Sequence, residues 1–194
     1  MLLILRHGET TWNREDRMQG GLDSPLTERG CQQAQQQGAI LAEVGVEGLQ
    51  CFSSPQGRAR RTAELALRGE SFRLDPRLAE VGMGTWQGLT MDSIREELPD
   101  GRISSHAFLW KFDAPGSETL ALMLARVGEF LADVPHPAVV VTHGVTSQIL
   151  RGLYLGLDVD GMGTLEDRQG VVYRLHDGRE KLLEAPGAVP MLKE

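Results

Sequence analysis

Two apolar runs of strand length, Leu2-Leu3-Ile4-Leu5 and Ala138-Val139-Val140-Val141, lie far apart in the chain, and each runs out into a histidine and a glycine. The first gives Arg6-His7-Gly8, the second Thr142-His143-Gly144. Short, continuously apolar runs suit strands buried inside a sheet that helices cover on both faces. Open α/β sheets of that kind place ligands at the carboxyl ends of their strands. An imidazole at such a strand end is a candidate nucleophile or base, and a guanidinium beside it marks an anion site. Gly8 permits a sharp turn or a close approach to a ligand.

A third segment points the same way. Gln50-Cys51-Phe52 reads as a short strand, followed by Ser53-Ser54-Pro55-Gln56-Gly57-Arg58. Ser54 can cap a helix and Pro55 fits its first turn. Arg58 then stands near the positive end of the helix dipole, an unfavourable place for a cation unless an anion joins it. Phosphate, sulfate or carboxylate would serve.

The rest of the chain alternates between strand and helix patterns. Thr27 caps a helix to about Val44 whose Gln-rich stretch (Gln32-Gln33, Gln35-Gln36-Gln37) reads as a solvent face. A helix spans 55–67, and 72–74 is a short strand. A long connection over 76–116 carries helix fragments near 90–97 and 105–111. Ser117 caps a helix to about Ala132, a strand covers 138–142 and a helix 144–155. Val171–Leu175 and Lys181–Leu183 form a hairpin around His176-Asp177-Gly178. This order predicts an α/β fold: a three-layer α/β/α sandwich with a mostly parallel central sheet. The length of 194 residues suits one domain, 1–194.

Composition narrows the partners. The net charge is −7 and basic residues cluster only at Arg58, Arg60 and Arg61, which argues against nucleic acid. Arg60 and Arg61 read as a solvated helix face. No apolar stretch approaches the roughly 18 residues that span a bilayer, so no membrane partner is expected. The opening residues lack the apolar core of a signal peptide. Cys31 and Cys51 have no metal-ligand spacing, and no histidine pair has helical i, i+4 spacing. A reduced, cytoplasmic protein without metal or cofactor is expected.

The motifs together are similar to the histidine phosphatase superfamily, the phosphoglycerate mutase-like proteins. The matching residues are Arg6-His7-Gly8-Glu9-Thr10, Trp12-Asn13, Asp23-Ser24-Pro25-Leu26-Thr27-Glu28-Arg29-Gly30, Ser53-Ser54-Pro55, Arg58-Ala59, Thr62-Ala63-Glu64, Glu80, Gly84-Thr85-Trp86-Gln87-Gly88 and His143-Gly144. The resemblance implies the phosphoglycerate mutase-like sandwich fold and a phosphoryl transfer through His7, which becomes phosphorylated. It makes Arg6 and Arg58 the phosphate clamps, His143 a second phosphate ligand and Asn13 a neutral donor. Gln19, Gly20 and Gly144 join the binding loop. Glu80 protonates the leaving oxygen and then activates water. A nucleophilic His7 must be neutral, with one ring nitrogen tied to a fixed acceptor and the other free. Nearby arginines favour that neutral form.

The resemblance implies a substrate-site insertion around 85–117, and this substrate side departs from the family's mutases. Glu80 is followed by Val81-Gly82-Met83-Gly84-Thr85-Trp86, without the arginine and tyrosine that grip a carboxylate there, and Gln19-Gly20 stands where mutases favour Thr-Gly. His106-Ala107-Phe108-Leu109-Trp110-Lys111-Phe112 reads as core packing or as an apolar wall of the site. Arg151 reads as a structural residue on a helix face. Three readings remain. The first is a metal-independent phosphatase acting on a small phosphorylated substrate. The second is a mutase primed by a bisphosphoglycerate. The third is a non-catalytic phosphate-recognition protein on the same fold. Family members are often dimeric, so the resemblance allows a homodimer.

Overall fold

A computed structural model describes residues 1–97 and 103–185. The expected domain over 1–194 and the insertion around 85–117 therefore each include residues outside those described. The strands are β1 (Leu2–Arg6), β2 (Gln50–Ser53), β3 (Arg73–Leu74), β4 (Ala138–Thr142), β5 (Val172–His176) and β6 (Arg179–Leu183). The α-helices are α1 (Thr11–Arg14), α2 (Glu28–Val44), α3 (Gly57–Ala66), α4 (Met91–Glu97), α5 (Leu120–Asp133), α6 (Gly144–Leu155) and α7 (Val159–Thr164). Among the described residues no helix is long and apolar enough to cross a membrane.

The six strands form one sheet in the order β3-β2-β4-β1-β5-β6. The first four are mutually parallel; β5 runs antiparallel to β1, and β6 antiparallel to β5, so the sheet is mixed. Alternation along β1 and β4 sorts their side chains to two faces. Leu2, Ile4, Ala138 and Val140 pack with Met123, Val127 and Phe130 of α5 and Ile149 and Leu150 of α6. Leu3, Leu5, Val139 and Val141 pack with Ile40 and Leu41 of α2 and Ala59 and Ala63 of α3. Both runs are buried along their length because both faces of the sheet are covered, giving the expected three layers.

Several local expectations are corrected. Ser54 does not cap α3: Gln56 is its N-cap residue, without a side-chain bond, and the Ser54 hydroxyl is turned onto His143 instead. Thr119, not Ser117, caps α5 by accepting from the Leu122 N–H. The helix α7 was not anticipated, although Asp158 caps it through the Gly161 N–H. The glutamines of α2 are not all solvent-facing. Gln32 and Gln35 are exposed, but Gln33 and Gln37, spaced by one turn on the inner face, are buried. The terminal hairpin turns through Asp177 and Gly178, both at positive φ, as a two-residue turn requires.

The loop after β1 is held against two helices. The Gly8 N–H donates to Thr62 of α3 at 3.0 Å, and the Glu9 N–H donates to Gln33 of α2 at 2.7 Å. A Cβ on Gly8 would stand 2.2 Å from the Gly30 carbonyl oxygen, so this approach is open only to glycine. Gln37 donates to the Arg6 and Val171 carbonyls, fixing the end of β1 from below.

Candidate active site

The carboxyl ends of β1, β2 and β4 are neighbours in the sheet, and they deliver Arg6-His7, Ser53-Ser54 and Thr142-His143 to one place. A cavity of about 210 Å³ opens there. Its walls include Arg6, His7, Asn13, Gln19, Gly20, Arg58, Glu80 and Gly144. His143 lies directly behind, fully buried, its ring 5.2 Å from that of His7.

The protonation of His7 follows from its neighbours. Its Nδ1 lies 2.8 Å from the Gly8 carbonyl oxygen, an acceptor, so Nδ1 carries the hydrogen. Its Nε2 lies 3.3 Å from Arg58 Nε, a permanent donor, so Nε2 presents a lone pair. Burial, then the Arg58 charge, then the Arg6 charge hold His7 well below an ordinary histidine pKa, and only the Gly8 bond opposes them. His143 is held down likewise, by burial first and then by Arg58. Its Nε2 lies 2.7 Å from the Ser54 hydroxyl, while its buried Nδ1 has no partner among the described residues.

Both histidines lower the pH tolerance of the fold. Each binds no proton in the native state near neutrality, whereas each takes one in the unfolded chain below about pH 6.5. Stability is therefore expected to fall as pH drops below that value, by about 2.7 kcal/mol per pH unit for the pair, until the folded pKa is reached. Denaturant unfolding at pH 7, 6 and 5 tests this, and His7→Gln should halve the slope contributed by the two. An unfolding free energy flat across that range would refute it.

Arg58 is buried in the first turn of α3 and heavily committed. Nη1 donates to the Leu22 carbonyl at 2.7 Å and to Asp23 at 3.1 Å; Nη2 donates to the Gly20 carbonyl at 3.0 Å. Asp23 also accepts the Arg58 N–H, so this carboxylate caps the helix start. The anion that the sequence demanded near Arg58 is thus supplied partly from within the chain. Gly20, at φ +53°, turns its carbonyl onto Arg58 and Gln56, and so holds the clamp.

Glu80 lines the opposite wall. Its carboxylate accepts from the backbone N–H groups of Val145 and Thr146 and from the Thr146 hydroxyl, at 3.1–3.2 Å. It therefore occupies the exposed donors at the start of α6, where negative charge is favoured. The Glu80 N–H is anchored to Gln56 at 2.8 Å, and Gln56 also reaches the Gly20 carbonyl. Asn13 accepts through Oδ1 from the Thr10 N–H, the Thr10 hydroxyl and Gln169, which leaves its amide hydrogens without a partner among the described residues. Gln19 accepts from Ser24 at 3.1 Å.

The His106–Phe112 segment divides. Phe108 is buried in the core, but Trp110 and Lys111 line the cavity, so core packing describes only part of it. Lys111 donates to Gln148 at 2.9 Å and lies 4.9 Å from the centre of the Phe108 ring. Burial pulls its pKa below the usual lysine value, while the Asp167 and Glu80 charges pull it up. Arg151 is structural, as expected, but fully buried rather than on a face: it stacks 3.8 Å over Tyr173 and pairs with Glu180. Glu9 and Thr10 shape the loop, Glu9 accepting from Thr27 and Thr10 capping α1. Among the described residues no group of three or more His, Cys, Asp or Glu is placed to hold a metal ion.

Two charged cavity residues carry no sequence signal, Arg17 and Asp167, whereas Trp110 and Lys111 fall in the segment read as a possible wall of the site. Gln33, Gln37 and Gln56, which brace the site from outside, were equally silent. Only their one-turn spacing, in line with Ala34, Ile40 and Leu41 on the inner face of α2, could have hinted at the first two.

The chain matches the model of the histidine phosphatase superfamily (branch 1) over residues 2–183. It is 35% identical over 193 residues to a Citrobacter koseri protein named "Probable phosphoglycerate mutase GpmB", covering 96% of this chain and 88% of the relative. A protein of the same name from Escherichia fergusonii is 37% identical over 161 residues, 79% of this chain and 74% of its own. Among solved structures, Bacillus stearothermophilus YhfR is 31% identical with a TM-score of 0.78, covering 97% of this chain and 96% of that one. A mycobacterial glucosyl-3-phosphoglycerate phosphatase, solved in complex with VO3, is 33% identical with a TM-score of 0.74, covering 93% and 96%.

Proposed function

The chain belongs to the histidine phosphatase superfamily (branch 1), and from that premise we propose that it hydrolyses small-molecule phosphomonoesters, without a metal ion, through a phosphohistidine at His7. The observation that carries this reading is the fixed tautomer of His7: Nδ1–H on the Gly8 carbonyl and a lone pair on Nε2, in a ring kept neutral by burial and two arginines.

In this mechanism Nε2 attacks phosphorus while the bond to the ester oxygen breaks. Arg6, the amide of Asn13 and Arg58, whose Nε–H passes from His7 Nε2 to the phosphate and frees the lone pair, hold the non-bridging oxygens, and His143 adds a donor from behind. Glu80 takes up a proton when the anionic phosphate enters beside it and passes that proton to the leaving oxygen. Water then enters the vacated position, gives a proton to the Glu80 carboxylate and attacks phosphorus. The N–P bond breaks and its electron pair returns to Nε2. Each preorganised donor aimed at developing charge is worth about a hundredfold or more.

The rest of the cavity wall is formed largely by Met18, Val81, Met83 and Trp110, with the charged groups of Arg17, Lys111 and Asp167 among them. That lining favours an ester with an apolar body. The names of the curated relatives favour a second reading, a phosphoglycerate mutase. A panel of phosphomonoesters assayed in EDTA separates the two, with 3-phosphoglycerate tested with and without 2,3-bisphosphoglycerate. Phosphate release from several esters, undiminished by EDTA, supports the phosphatase. Isomerisation of 3-phosphoglycerate with little phosphate released supports the mutase. No turnover of any kind favours a phosphate-recognition protein.

A further inference from the structure

Asp167 lies in the loop between α7 and β5, at the cavity wall, where nothing in the sequence marks it. Its Oδ2 is 3.0 Å from Arg6 Nη1, and its own backbone carbonyl accepts from the same nitrogen. The Arg6 side chain is thus gripped at one end by a single residue. Arg6 Nε, on the other edge, is buried and has no partner among the described residues. A guanidinium binds phosphate best through two parallel donors on one edge. With Nη1 tied to Asp167, the edge left for a ligand is Nε with Nη2.

Gly144 gives this pair its room. A Cβ there would stand 2.9 Å from Asp167 Oδ2 and 3.5 Å from Arg6 Cζ. The glycine after the second histidine therefore lets the ion pair lie against the start of α6.

We infer that Asp167 is a positioning residue for phosphate binding: it holds Arg6 from behind and turns the Nε–Nη2 edge toward the phosphoryl group beside His7. The inference rests on Arg6 being a phosphate ligand. A carboxylate near a phosphate repels it, but the Asp167 side chain is half-exposed, so solvent screens that repulsion. The orientation of Arg6 is not screened, because the hydrogen bonds it controls are short-ranged.

The test is binding of inorganic phosphate, measured by calorimetry on the full chain, for wild type, Asp167→Ala, Arg6→Ala and the double variant. Asp167→Ala should weaken binding about tenfold, the scale of one lost charge-assisted hydrogen bond. Arg6→Ala should weaken it at least as much, and the double variant should bind no more weakly than Arg6→Ala alone. Asp167→Asn, which keeps an oxygen for Nη1, should recover most of the affinity. Asp167→Glu keeps the charge but not the reach, and should be weakened. Tighter or unchanged binding in Asp167→Ala overturns the inference, as does a double variant in which the two losses multiply. Wild-type binding by Arg6→Ala would instead remove Arg6 as a ligand, and the inference with it. Thermal unfolding of each variant confirms that it is folded, and Asp167→Glu carries the test if Asp167→Ala is not.

Discussion

His7→Ala is expected to abolish turnover, with a loss on the order of 10⁴-fold or more, while phosphate still binds. The size follows from the role: without Nε2 no other imidazole stands on the cavity wall among the described residues. His143 cannot replace it. Its Nε2 is engaged by Ser54, and its ring stands behind the cavity rather than on its wall. The affinity for phosphate should survive because Arg6, Arg58 and Asn13 remain. The decisive measurement is rapid quench with a ³²P-labelled ester. Wild type should carry label that is stable in alkali and lost in acid, as a phosphoramidate is, and His7→Ala should carry none. Hydrolysis by His7→Ala within tenfold of wild type, or label on another residue, would sink the proposed mechanism.

Glu80→Gln should cost 10²- to 10⁴-fold with an alkyl phosphate, the range typical of a general acid. With p-nitrophenyl phosphate, whose leaving group needs no proton, the first step should proceed nearly unaided. Hydrolysis of the phosphoenzyme would then stall for want of a base, giving a burst of one p-nitrophenol per site followed by slow turnover. The isostere also carries a structural penalty. The carboxylate accepts from Val145 on one oxygen and from Thr146 and Val81 on the other. Glutamine offers one oxygen, so its amide hydrogens must face one of those N–H groups, at a cost of about 1–3 kcal/mol. The variant should therefore melt earlier than wild type yet remain folded. Alkyl phosphate turnover within threefold of wild type would exclude Glu80 as the acid.

These expectations draw unequally on sequence and structure. The runs ending at Arg6-His7 and Thr142-His143 were legible because a strand buried on both faces must be continuously apolar, whatever its neighbours. Thr27 was legible as a cap because capping is settled within one turn. Ser54 carries the same local signal, but its hydroxyl accepts only from the Gln56 N–H, ahead of α3, and is shared with the buried imidazole that follows β4. Gln33 and Gln37 were misread for a related reason. A polar helix face looks solvated until the loop that hydrogen-bonds to it is in place.

The chain's own residue pattern determined that an α/β sheet would form and that Arg6, His7, Arg58 and His143 would stand at strand ends or helix starts, since these depend on periodicity and capping over a few residues. Only the tertiary structure decided what surrounds them. The order β2-β4-β1 brings Ser54 to His143, Glu80 to the start of α6 and Asp167 to Arg6. Each of those contacts joins residues far apart in the chain, and its geometry depends on how the layers pack, which no local pattern encodes.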